Sequence, residues 1–122
     1  MEIYMNNVIK DKSFKFAVRI VKLCTYLKEQ KKEYVLSKQL LRSGTSIGAN
    51  VREVINAESK MDFIHKLSIS QKETDETLYW LELLKDSEII TDKEFDSIYQ
   101  DALELLKLLR AIIMKTKNNI KK

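Results

Sequence analysis

Both glycines of this 122-residue chain, Gly44 and Gly48, stand inside a run whose apolar residues keep helical spacing. Leu40, Gly44, Ile47, Val51 and Val54 follow at intervals of 4, 3, 4 and 3 residues, the spacing of one face of an α-helix. Glycine costs about 1 kcal/mol against alanine in a helix interior, so two of them four apart need a compensating reason. Close approach of a neighbouring backbone supplies one. The glycine segment, Arg42–Glu53, reads as a packing element, because no Gly-Lys-Ser/Thr sequence follows as a phosphate-cradling loop would require.

The rest of the chain is helical in character. It has no proline, and its charged fraction of 33% suits long solvent-facing helix surfaces. The length predicts one domain, 1–122, able to form a core without disulfides or structural metals. No run approaches the roughly 18–20 uncharged apolar residues of a membrane span, and no signal-peptide core is present. A cytoplasmic protein with no membrane partner is expected, and the one cysteine, Cys24, agrees with a reducing compartment.

Periodicity and capping residues divide the chain into four helices, at about 12–31, 37–57, 59–86 and 91–118. Met1–Lys10 shows no clean period and is expected to be an irregular lead, with Asp11 or Ser13 capping helix 1. Helix 1 has two apolar rows, Phe14, Ala17, Val21, Cys24 and Phe16, Ile20, Leu23, Leu27. Ser37 is a good N-cap for helix 2, with Leu36 and Leu41 placed as a hydrophobic staple. Ser59 with Asp62 opens helix 3, whose seam of Phe63, Leu67, Ser70, Thr74, Thr77, Leu81 and Leu84 is small and hydroxylic in its middle. That middle matches Gly44, Ile47, Gly48 and Val51 in depth, so the two small-residue layers are expected to face each other and let helix 3 approach. Thr91-Asp92-Lys93-Glu94 is a full capping box, stapled by Ile90 and Phe95. Helix 4 then carries the seam Phe95, Ile98, Ala102, Leu105, Leu109 and Ile112 with further apolar residues beside it. Either it is the most buried helix, or it also faces another subunit; a homo-oligomer held by this surface, and by the small polar stripe Arg42, Ser46, Ala49, Glu53 of helix 2, is the expectation.

Charge is unevenly placed. Residues 1–32 carry eight Lys/Arg against three Asp/Glu, residues 105–122 six against none, and residues 33–104 eight against fifteen. First and last helices are neighbours in an antiparallel up-down-up-down bundle, so Lys15, Arg19 and Lys22 of helix 1 and Lys107, Arg110, Lys115 and Lys117 of helix 4 are candidates for one basic, phosphate-binding region. Solvated helix faces are the alternative.

Taken together, Leu41-Arg42-Ser43-Gly44-Thr45-Ser46-Ile47-Gly48-Ala49-Asn50-Val51-Arg52-Glu53, Asp62-Phe63-Ile64-His65-Lys66 and Lys72-Glu73-Thr74-Asp75-Glu76-Thr77-Leu78-Tyr79-Trp80-Leu81 closely resemble a bacterial four-helix-bundle family, the 23S rRNA intervening-sequence proteins. The accessory variability determinant of diversity-generating retroelements is similar at a greater distance. The resemblance spans roughly residues 11–115, although some branches have proline where this chain has Gly48. It implies an all-α bundle that assembles as a homopentamer and, for the retroelement members, a basic surface binding nucleic acid and a partner reverse transcriptase. It implies no activity.

Catalytic readings lack their parts. Di-metal bundle sites take Glu-x-x-His from each of two helices, and this chain has one histidine, His65. Cys24 has no evident activating neighbour, and Glu73 and Glu76 read as a solvated face or an intersubunit ion pair. No catalytic, metal or cofactor site is expected. Two functions remain open: a non-enzymatic nucleic-acid-binding accessory protein, taking RNA or DNA, or a protein-interaction scaffold in which the basic ends balance the acidic middle.

Overall fold

The computed structural model describes the backbone of residues 2–121 and the side chains of residues 7–120. Four helices follow one another, α1 (Glu2–Lys31), α2 (Leu36–Glu53), α3 (Lys60–Asp86) and α4 (Asp92–Lys121), with a 3-10 turn, Val54–Asn56, after α2. Each packs against the next and α4 returns to α1, which closes the all-α, up-down four-helix bundle that the sequence predicts. The α1–α4 contact is the smallest of the four.

Helix α1 starts well before the expected cap. Ile9 is 1% exposed and lies against the same small cavity as Val51, Val54 and Leu67, so one apolar anchor holds a turn that has no period of its own. Met1 is outside the described residues. Neither predicted cap acts as one: Ser13 is buried and donates to the Lys10 carbonyl at 3.1 Å, and Asp11 pairs with Lys15. Helix α2 is likewise capped by a residue the sequence did not single out. The Glu33 carboxylate accepts the Ser37 N–H at 2.7 Å, while the Ser37 hydroxyl donates to the Glu33 carbonyl at 2.8 Å. A carboxylate there also suits the positive end of the helix.

The two later starts follow the predicted chemistry. Asp62 N–H donates to Ser59 Oγ at 3.0 Å, with the Asp62 carboxylate accepting from Glu58 N–H at 3.1 Å. At α4, Glu94 N–H donates to Thr91 Oγ1 at 3.1 Å and Thr91 N–H to Glu94 Oε1 at 2.8 Å, with Ile90 and Phe95 buried on either side.

The glycines meet α1, not α3. A Cβ at Gly44 would lie 2.8 Å from both Cγ atoms of Ile20, and one at Gly48 would lie 3.2 Å from the Ser13 carbonyl oxygen. Periodicity identifies residues that share a face, and it is silent on which neighbour that face meets. Helix α3 approaches beside them, through hydroxyls. Ser70 donates to the Ile47 carbonyl at 3.0 Å, the Thr77 and Ser43 hydroxyls meet at 2.9 Å, and Thr74 donates back to Ser70 O at 2.8 Å. Among the described residues no buried side-chain polar atom lacks a partner. Such a layer avoids the desolvation cost of about 1–3 kcal/mol that each unpaired group would carry.

The predicted α4 seam is buried throughout, from Phe95 to Ile112. Its extra apolar residues Leu106 and Ile113 are buried as well, Tyr99, Leu103 and Leu108 are half-buried, and Met114 and Ile120 are exposed, at 64% and 42%. The helix therefore spends most of its apolar surface inside its own chain. Helix α1 exposes apolar residues as well: Phe14 and Val21 leave the core, while Cys24 of the same row enters it.

Candidate nucleic-acid interface

Helix α1 meets α4 through polar and charged side chains. Arg19 Nη1 pairs with Asp101 and Nη2 donates to Ser97 Oγ at 2.9 Å, while Lys12 pairs with Glu104. Rising numbers on one helix meet falling numbers on the other, as two antiparallel neighbours require. Between them lies a cleft of about 330 Å³ whose apolar floor is Phe16 and Leu105 and whose rim is Lys12, Lys15, Arg19, Asp101 and Glu104. The hydrogen bond to Glu104, reinforced by its charge, holds the Lys12 ammonium above the ordinary lysine range.

Of the seven cations singled out from the sequence, two line this cleft. Arg19 is engaged there with Asp101, and Lys15 with Asp11 at 3.1 Å, so both are balanced within the chain. Lys22 is exposed on α1 outside the cleft and has no carboxylate partner among the described residues. Lys107, Arg110 and Lys117 are exposed on α4, and with Met114 they follow at intervals of 3, 4 and 3, one stripe along the helix. Lys115 falls off that stripe and is half-buried. None of the four has a carboxylate partner among the described residues. The single basic region expected across α1 and α4 is thus two: a cleft of paired charges and a stripe of cations with no carboxylate partner among the described residues.

Sequence reasoning missed Lys12, Asp101 and Glu104. Lys12 carried a usable signal, since it precedes Lys15 by three and Arg19 by seven residues on one helical face. The carboxylates belonged to a segment that was acidic as a whole, and nothing local marked these two.

The other candidate groups lie outside this cleft. Arg42 reaches Glu73 at 3.2 Å and also Glu76 within the same chain, and Trp80 Nε1 donates to Glu76 at 3.0 Å, so the glutamate pair is neither free in solvent nor reserved for another subunit. Cys24 is buried, donates to the Ser37 carbonyl at 3.3 Å, and has its pKa pushed up to about 11 by burial. A thiol in that state is a poor nucleophile at neutral pH. His65 is exposed on α3. Among the described residues no three His, Cys, Asp or Glu side chains are grouped to hold a metal ion, and no helix is long and apolar enough to cross a membrane.

Comparison with known proteins follows the fold closely. A family described as "23S rRNA-intervening sequence protein" matches residues 5–111. A solved structure from Bacteroides thetaiotaomicron, a protein with unknown function from the S23 ribosomal protein family, is similar over 90% of this chain and 98% of its own. The two share 56% sequence identity and superpose with a TM-score of 0.89. No curated protein matches the chain.

Proposed function

The chain belongs to the 23S rRNA-intervening sequence protein family, and on that footing we propose that it is a non-enzymatic accessory protein that binds RNA or DNA in the cytoplasm and works as a homo-oligomer. The observation that carries this reading is the α4 stripe. Lys107, Arg110 and Lys117 project from a stretch, 105–122, that contains no Asp or Glu. Exposed cations in a row suit phosphates, which supply affinity with little reading of base sequence. Repetition of the stripe on each subunit, five times in the homopentamer that the family resemblance implies, would multiply a weak contact into a strong one. The ribosomal name of the similar Bacteroides family fits RNA as the ligand.

The test is binding of labelled RNA and DNA across a salt series, repeated with Lys107→Glu/Arg110→Glu. Wild type should bind at low salt and weaken by about 0.7–0.9 in log K per phosphate contact for each decade of salt. The variant should lose at least about tenfold in affinity with a shallower slope. Unchanged mobility of both nucleic acids at low salt, at every protein concentration, sinks the reading.

One observation favours a second reading, a protein-interaction scaffold. Lys12, Lys15 and Arg19 are already balanced by carboxylates of the same chain. In that case the partner is a protein, and a reverse transcriptase, as the resemblance to retroelement accessory proteins implies, is one candidate. Recovery of a protein partner with no salt-dependent nucleic-acid binding would select this reading.

A further inference from the structure

The two ends of the bundle differ in charge. Up-down connectivity gathers the start of α1, the α2–α3 connection and the end of α4 at one end, and the α1–α2 and α3–α4 connections at the other. Residues 2–12, 52–66 and 110–121, which make the first end, carry nine Lys/Arg against five Asp/Glu. Residues 25–38 and 82–97, at the opposite end, carry six against eight. Two of the five carboxylates at the first end are already engaged, Asp62 with the Glu58 N–H and Asp11 with Lys15, which leaves that end the more basic.

The basic end also exposes large apolar side chains. Ile55 and Met61 flank the α2–α3 connection at 67% and 66% exposed. Ile55 lines one small cavity with Ile9 and Lys10, so the connection lies against the start of α1. Ile120 continues the buried row Ile113 and Thr116 at intervals of 3 and 4, and its 42% exposure shows that α4 outruns the core. Exposed cations alternate with these residues: Lys60 precedes Met61, and Lys117 lies three residues before Ile120. A lone exposed isoleucine or methionine is ordinary. Three gathered among cations at the tip of a bundle match an anionic lipid surface, where apolar side chains enter the acyl boundary and lysine stems reach up to the phosphates. Tyr34 and Val35 are exposed at the opposite end, where the carboxylate excess repels such a surface.

We propose that the basic end of the bundle docks end-on against a bilayer of anionic lipid, inserting Ile55, Met61 and Ile120 and meeting headgroup phosphates with Lys10, Lys60 and Lys117. The expectation of no membrane partner rested on the lack of a membrane-spanning segment, which a peripheral contact does not need. Ile55, Lys60 and Met61 lie outside the α4 stripe, so the contact can be tested apart from nucleic-acid binding.

Cosedimentation of the full chain with vesicles tests it, using phosphatidylglycerol mixed equally with phosphatidylcholine and, separately, phosphatidylcholine alone. Wild type should bind the anionic vesicles at least about tenfold more tightly than the neutral ones, and less as salt rises. Lys10→Glu/Lys60→Glu should weaken that binding at least about tenfold. Ile55→Ser/Met61→Ser should weaken it at least about fivefold, with helical circular dichroism, light-scattering mass and RNA affinity unchanged. Absence of binding to anionic vesicles at low salt overturns the proposal, and so does binding indifferent to Ile55→Ser/Met61→Ser. A change of RNA affinity or of mass in that variant, without vesicle binding in wild type, assigns the patch to nucleic acid or to a second copy and overturns it as well.

Discussion

Helix α1 is held on its two flanks by different physics. Against α2 it is fitted by shape, with Ile20 and the Ser13 backbone lying where any side chain at Gly44 or Gly48 would have to go. Against α4 it is held by ion pairs over a cleft, and the paired groups keep 40–50% of their side-chain surface in solvent. At Gly44 the first flank can accept no added atoms, because close-packed interiors have no room to absorb them, whereas half-buried Gly48 is the more tolerant of the two. Ion pairs this exposed contribute little to stability and can trade one partner for another. Stability therefore belongs to the α2 side, and exchangeable ion pairing to the α4 side.

The sharpest way to break this contrast is Gly44→Val. Ile20 is fully buried and branched at Cβ, so it cannot swing aside. The variant should lose about 3 kcal/mol in urea unfolding, and Ile20→Ala in the same chain should recover part of it. Gly48→Ala meets one carbonyl at 3.2 Å, and the better helix propensity of alanine should hold the change within about 1 kcal/mol of zero. Next in size is Thr77→Val, which removes the hydroxyl that meets Ser43 and should cost about 1–2 kcal/mol.

The cap of α4 comes third. Thr91→Ala should cost about 1 kcal/mol in the same assay. Its pH dependence follows from Glu94, whose hydrogen bond from the Thr91 backbone holds its pKa below the ordinary carboxylate value. A lowered folded-state pKa adds stability that is fully present above the unfolded value, about 4.3, and is lost as pH falls through the folded one. Glu94→Gln should remove that acid-side loss.

The smallest effect on stability belongs to the α4 flank of α1. Asp101→Asn should change unfolding by less than about 0.5 kcal/mol. It should at the same time free Arg19 and tighten nucleic-acid binding at low salt by about fivefold, equivalent to ~1 kcal/mol. A larger stability loss here than at Gly44 would reverse the comparison.

These contrasts also mark what could be read from residue order. Features that complete themselves within one or two turns were legible: the Thr91–Glu94 box, the Ser59–Asp62 cap, and the buried α4 seam. Features that need to know which helix lies opposite were not. The glycine face was legible as a face, and its neighbour was misassigned to α3. The same holds for Arg42 and Glu73, 31 residues apart, whose pairing follows from the α2–α3 packing and from no local spacing. The start of α1 escaped for a related reason, because Ile9 is fixed by contacts with α2 and α3 rather than by its sequence neighbours. At the candidate interface the cations were legible by type and number. The pairing of Arg19 was not, since Asp101 acts on it across the bundle, whereas Lys15 pairs with Asp11 only four residues away.

The hydroxyl layer between α2 and α3 has one more consequence. Apolar seams are forgiving of translation, because one leucine replaces another with little change in energy. Thr77 is not forgiving, for its partner on α2 is the one Ser43 hydroxyl, and a slide of one helical turn, about 5.4 Å, would set it against Leu40 or Ile47 instead. The layer acts as a detent that selects a single longitudinal setting of the two helices. It sets the distance between the two ends of the bundle, and with it the height at which every outward-facing stripe is presented.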